Sequence, residues 1–169
     1  MRRGEAIQLR WSDINFETST FCLGDTKSGE SIRPIPAAAL KLLKSIEHIS
    51  DYVFAIAPNG APYGAIPRLW RTLRSKISEA SADDFDEITL HSLRHSFAGI
   101  AEELGATIPT IAALLGHRLG GVTAGYILKR VDKPLLDAAD RLGWDIYGRM
   151  FVSCSSSVVA FSRNRLSPG

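Results

Sequence analysis

The chain has only two cysteines, Cys22 and Cys154, far apart and in dissimilar surroundings. That excludes a disulfide lattice and predicts free thiols in a reducing compartment, the cytoplasm. No apolar run approaches the roughly 20 residues of a membrane helix, and nothing at the N-terminus resembles a signal peptide, so no membrane partner is expected. Charge of one sign is missing too: 20 Lys and Arg face 18 Asp and Glu, a net charge of +2. Bulk charge therefore announces no partner, and only its local distribution carries information. There is no Cys/His spacing or carboxylate cluster of a metal site, so neither metal nor cofactor is expected. Internal repeats are absent. What remains is 169 residues, 45% hydrophobic and 22% charged, which suits one globular domain with its own core.

The order of patterns predicts an α+β chain: mainly helical, with a small three-stranded antiparallel sheet near the N-terminus. "MRRGEAIQL" reads as a helix fragment with Ala6, Ile7 and Leu9 inward. Three short alternating runs follow, around Ile14 and Phe16, Phe21 and Leu23, and Ile32 and Ile35. The breakers "ETST" and "GDTKSGE" separate them and put Lys27 at the tip of the second hairpin. Helical spacing then recurs over residues 37–49, 66–79, 90–104, 106–115 and 133–150, with Gly105 and Gly116 as stops. A loop with a short extended piece lies between the first two of these helices. Residues 1–150 are expected to form the domain. The serine-rich residues 151–169 lose their period and are expected to be a poorly ordered tail.

Several positions carry chemistry. His91 and Arg94, in "HSLRHSFAGIAEELG", share one helix face, and Arg94 offers a planar fork for two oxygens of an anion. His117, in "LLGH", follows a glycine that lets the chain turn sharply out of a helix. Nine residues on, Tyr126 stands between a glycine-containing loop and two cations, and a phenol so placed can be a covalent nucleophile. Near the start, Glu5 is spaced to hold Arg2 or the backbone beside it. In residues 68–76, "RLWRTLRSK" supplies Arg68, Arg71, Arg74 and Lys76 with no acid. That stretch is either a phosphate-tracking surface or a solvated helix face. Taken singly, each of these has an ordinary structural explanation: a packed histidine, a surface ion pair, a solubilising lysine, a half-buried tyrosine.

Their order is less ordinary. "MRRGEAIQLRWSDI", "TKSG", "HSLRHSFA", "LLGH" and a tyrosine nine residues later resemble the catalytic domain of the tyrosine recombinases, the phage-integrase-like family, over about residues 1–139. The resemblance implies that family's fold and its chemistry, DNA strand cleavage and rejoining through a 3′-phosphotyrosyl intermediate. Matched residue by residue, it implies catalytic roles for Arg2, Lys27, His91, Arg94, His117 and Tyr126, and supporting roles for Glu5 and His95. Arg2 and Arg94 would clamp non-bridging oxygens and His117 would add a hydrogen bond. Lys27 would protonate the leaving 5′-oxygen, and His91 would accept the tyrosine proton. It implies double-stranded DNA as partner, a homotetramer on DNA, and a DNA-facing role for Arg68, Arg71, Arg74 and Lys76. Leu135, Leu136, Ala139 and Leu142 in the last helix would serve either a neighbouring subunit or their own core.

The sequence departs from the family pattern at its start. The Thr-Gly before the first arginine, the earlier helices and the DNA-clamp domain are not in it, and Met1 takes the apolar slot before Arg2. A late-assigned gene start, a truncated relic and a fragment are all compatible with this. The alternative to an enzyme is accordingly a non-catalytic DNA-binding or interaction remnant of a truncated integrase. A single-strand-cutting topoisomerase is more distant, because the compact "LLGH"-to-tyrosine spacing matches the recombinases.

Overall fold

Apolar alternation across three short runs folds them into a meander, with β1 (Ile14–Asn15), β2 (Thr20–Leu23) and β3 (Ser31–Pro34) in the order β1-β2-β3. Both pairings are antiparallel, with Ile14 opposite Phe21 and Phe21 opposite Arg33. The Asn15 side chain caps the first turn by accepting from the N–H groups of Glu17 and Thr18 at 3.0 and 2.9 Å. The structure, a computed structural model, describes residues 1–24, 31–56, 59–81, 85, 87–117 and 131–164, with side chains as far as Met150. The tip of the second hairpin, with Lys27, and the segment holding Tyr126 lie outside the described residues.

One face of the meander closes a first core. Leu9, Ile14, Leu23, Ile35, Leu43 and Val53 are buried together, with Met1, Trp11, Phe16 and Phe21 packed around them. Burying each such aliphatic side chain contributes about 1.5–3 kcal/mol. Leu9 enters it just after α1 (Arg3–Ile7), and Leu43 comes from α2 (Ala37–Lys44). Helix α2 stops short of the expected residue 49, where the Ser45 hydroxyl donates to the Leu42 carbonyl at 2.7 Å and turns the chain out. The loop that follows holds a second small hairpin, β4 (Ala55–Ile56) with β5 (Ala61–Pro62), more regular than the single extended piece expected.

Among the described residues four helices build the rest: α3 (Ile66–Ser81), α4 (Leu90–Glu103), α5 (Ile108–Leu115) and α6 (Lys133–Asn164). Ala101, Leu114, Ala139 and Leu142 form the second core, flanked by Phe97, Ile100, Ile111 and Leu135. This decides between the two uses left open for the last helix: Ala139 and Leu142 close their own domain. Helix α6 also joins the two cores. Asp140 Oδ1 accepts from the first N–H of α2, at Ala37, at 2.6 Å, capping the positive end of that helix. Past Met150 the α6 backbone stays helical through residues predicted to be poorly ordered; residues 151–164 are serine-rich but contain no Gly or Pro to break a helix. Among the described residues no helix is long and apolar enough to cross a membrane.

Candidate active site

Three local devices aim side chains at one place. The first is at the start of α4. Thr89 Oγ1 accepts from the Ser92 N–H at 3.3 Å, while Ser92 Oγ accepts from the Thr89 N–H at 3.1 Å. This reciprocal cap fixes the opening turn that carries His91 and Arg94. His91 also meets His95 edge to face, with ring centroids 4.6 Å apart.

The second device ends α5. Gly116 is left-handed, at φ 65 and ψ 38, a conformation that costs a side-chain-bearing residue roughly 1–2 kcal/mol. The His117 N–H donates to the Ala112 carbonyl at 2.8 Å, and the Gly116 N–H to Ala113 at 3.0 Å. The helix thus closes on itself and leaves the exposed His117 at the bend. Arg94 reaches this end from α4, its Nη2 donating to the Leu115 carbonyl at 2.6 Å.

The third device surrounds Arg2, at the entry to α1. Glu5 Oε2 accepts from the Arg2 backbone N–H at 2.6 Å, and Glu5 Oε1 from Arg2 Nη1 at 3.2 Å. The same carboxylate takes a fork from Arg33 on β3: Nη1 to Oε2 at 2.8 Å and Nη2 to Oε1 at 3.1 Å. Arg33 is only 3% exposed. Burial raises the Glu5 pKa, but the hydrogen bonds from Arg33 and Arg2 and the Arg33 charge outweigh that and hold it down at about 2.

These devices open onto one cleft of about 540 Å³. Four arginines, Arg2, Arg3, Arg74 and Arg94, and two histidines, His91 and His117, line it, and no acidic residue among those described does. So the structure brings four expected positions together: Arg2, His91, Arg94 and His117. Glu5 lies beneath Arg2, and His95 stands one helical turn from His91, outside the cleft lining. Electrostatic repulsion is legible in the groups themselves. Burial first, then the Arg2 and Arg33 charges, push the Arg94 pKa down. Burial, then Arg94 and Arg2, lower that of His117, which favours a neutral ring at physiological pH. Arg94 Nη1 is buried without a hydrogen-bond partner among the described residues. A cluster of this kind is stabilised by an anion, which would offset the repulsion and accept the unused donor.

The basic stretch divides. Arg68, Arg71 and Lys76 are exposed on α3. Arg74 turns inward to line the cleft, its Nη1 donating to the Phe85 carbonyl at 3.2 Å. Trp70 Nε1 donates to the Ile88 carbonyl at 2.9 Å, so α3 braces the segment leading into α4. The sequence reading missed Arg33 and Arg3. For Arg33 the sequence misled: the run around Ile32 and Ile35 predicts a buried Ile32, but the register opposite Phe21 turns Ile32 outward and buries Arg33, which then demands an acid. Among the described residues no three His, Cys, Asp or Glu side chains group as a metal site would.

Comparison with known proteins places these features. Residues 1–132 match the model of the phage integrase family. The putative integrase/recombinase y4gC of Sinorhizobium fredii is 28% identical over 153 residues, covering 86% of this chain and 79% of that protein. The tyrosine recombinase XerA of Pyrococcus furiosus is 31% identical over 148 residues, covering 83% of this chain and 50% of that one. Among solved structures, the Tn1549 transposon integrase in complex with circular intermediate DNA superposes with a TM-score of 0.55 at 18% identity, over 82% of this chain and 52% of that one. The chain thus spans about half the length of the XerA relative and of the transposon integrase chain.

Proposed function

The chain belongs to the phage integrase family, and from that premise we propose that it cleaves and rejoins DNA strands site-specifically, as a tyrosine-type recombinase. The observation that carries the reading is a cationic cleft with no acid in its lining among the described residues. Arg2, at the entry to α1, and Arg94, on α4, face it beside His91 and His117, and Arg94 Nη1 remains unpaired among the described residues. A phosphodiester in this cleft meets two guanidinium forks, each with one arm held by the protein and its remaining donors left for the non-bridging oxygens. Those forks are already held, by Glu5 for Arg2 and by the Leu115 carbonyl for Arg94, so little reorganisation is needed as negative charge builds up in the transition state.

The chemistry is a balanced exchange of esters. Tyr126 Oη forms a bond to phosphorus as the bond from phosphorus to the 5′-oxygen breaks, and His91 accepts the phenol proton. His117, neutral, donates a ring N–H to a non-bridging oxygen. Lys27 delivers a proton to the departing 5′-oxygen. The phosphotyrosyl bond stores the ester linkage, so attack by a 5′-hydroxyl restores the strand without a nucleotide cofactor. Duplex DNA is the substrate, Arg68, Arg71 and Lys76 meet its phosphates, and assembly is a homotetramer on DNA in the cytoplasm.

The test is a denaturant-resistant protein–DNA adduct, formed with a pool of nicked duplexes of randomised sequence so that the target site need not be known. The chain is expected to yield an adduct that Tyr126→Phe abolishes. DNA binding without any adduct, even when a family-type DNA-clamp domain is fused to the N-terminus, would instead identify a non-catalytic remnant.

A further inference from the structure

Arg33 belongs to none of the positions singled out from the sequence, yet it lies beneath the cleft and touches two of the devices that build it. Its Nη1 and Nη2 both hold the Glu5 carboxylate, and its Nε donates to Ser31 Oγ at 3.0 Å. That carboxylate also receives both the backbone N–H and Nη1 of Arg2. The guanidinium also lies against Gly116, close enough that a Cβ there would overlap its Nε and Cζ. One buried side chain therefore abuts the helix carrying Arg2 on one side and the turn carrying His117 on the other.

We propose that Arg33 is a positioning residue for the phosphate site, setting Arg2 through Glu5 and the His117 turn through its packing on Gly116. This rests on the reading of the cleft as a phosphodiester site. A bare carboxylate could hold Arg2 in several ways. A carboxylate already clamped bidentately from below presents one geometry, since the planar fork of Arg33 fixes the plane of the Glu5 carboxyl group. Arg33 contributes no donor to the cleft itself, as it is absent from its lining. Its effect must therefore travel through Glu5 and Gly116, which separates positioning from direct phosphate contact.

The experiment compares the wild type with Arg33→Met and Arg33→Lys. Three quantities are followed: the thermal midpoint, the rate of single-turnover adduct formation at saturating nicked DNA, and the affinity for inorganic phosphate read from the His117 side-chain NMR signal. Arg33→Met is expected to slow adduct formation at saturating DNA by on the order of 10²-fold, the cost of misplacing a catalytic group by about an ångström. Its phosphate affinity should fall roughly tenfold, the scale of one charge-assisted hydrogen bond. Arg33→Lys keeps the charge but loses the fork, and should recover only a minor part of either. In a Glu5→Gln background, Arg33→Met should add less than its full loss, because the route through Glu5 is already cut and only that through Gly116 remains.

A merely structural role predicts something else: a lower thermal midpoint, with the folded fraction keeping wild-type rate and phosphate affinity. That result in Arg33→Met overturns the proposal, as do losses that add in full to those of Glu5→Gln. Should Arg33→Met not fold, folded Arg33→Lys with wild-type values overturns it equally. The two readings stay separable. A wild type that forms no adduct, alone or with a fused DNA-clamp domain, with phosphate binding weakened by Arg33→Met, sinks the recombinase reading and leaves the positioning role standing. Normal adduct formation in Arg33→Met sinks only the positioning role, and a wild type with neither adduct nor phosphate binding sinks both.

Discussion

Arg94 Nη2 donates to the backbone carbonyl of Leu115 across 2.6 Å, joining the first turns of α4 to the last turn of α5. One end of the guanidinium is thus spent on structure, while Nη1 is buried and unpartnered among the described residues. Only a fork can do both, which is why a lysine is not an equivalent here.

Arg94→Ala is accordingly expected to slow adduct formation by on the order of 10²–10³-fold, the usual cost of removing a preorganised donor from a developing oxyanion. Loss of the Leu115 contact should lower stability by only about 1 kcal/mol. Single-turnover assays together with urea denaturation check the pair. A rate loss that merely tracks unfolding would contradict the catalytic role.

Gly116 and Gly105 offer a controlled comparison. Both are left-handed, at φ 65 and φ 77. A Cβ at Gly105 meets nothing within 4 Å, whereas one at Gly116 runs into the Arg33 guanidinium. Gly105→Ala should therefore cost about 1–2 kcal/mol of conformational strain. Gly116→Ala should cost a further 1–3 kcal/mol or so from overpacking and should also impair adduct formation. Equal destabilisation of the two variants in urea titrations would show that Arg33 yields to the added methyl.

Acid stability follows from Glu5. Its folded pKa, about 2, lies below the ordinary carboxylate value of about 4.3 expected in the unfolded chain. A depressed pKa means the folded state binds fewer protons, so the stability Glu5 supplies is complete above about pH 4.5 and is lost as pH falls towards 2. Urea midpoints measured from pH 7 down to pH 2.5 should fall across that lower window. Glu5→Gln should be less stable at pH 7 and flatter below pH 4.5; an unchanged acid slope would mean that Glu5 is not ion-paired as described.

The four cations of α3 should behave differently from one another. Removing Arg68, Arg71 or Lys76, all exposed, should weaken DNA binding similarly for every sequence. Each should also flatten the dependence of log affinity on log salt by about one unit. Arg74 is engaged with Phe85 and lines the cleft, so Arg74→Ala should act mainly on adduct formation. Binding isotherms at several salt concentrations distinguish these outcomes, and a uniform response from all four would undo the division.

The legible part of the molecule is the part written in short sequence intervals. The shared face of His91 and Arg94, the Gly116 turn before His117 and the strand alternation around Ile14 and Phe21 all depend on residues within a few positions of one another. Helical and strand periods report those directly. The third run reads wrongly: Ile32 faces out and Arg33 in. The small β4–β5 hairpin was not legible, since two-residue strands are too short to show a period. Nor was the use of Ala139 and Leu142, because an apolar helix face does not say which surface will cover it.

What the sequence determined by itself was the set of groups and their local aim: which arginines and histidines stand at which helix ends, in an order shared with the phage integrases. What only the tertiary structure decided was their convergence and its support. Arg33 and Glu5 are 28 residues apart, and no local period connects them. Their pairing exists because the meander sets β3 beneath α1, where a buried guanidinium has no water and must find a carboxylate. The cleft, with no acid in its lining among the described residues and Glu5 held ionised by Arg33 and Arg2 below it, is a property of the packed chain.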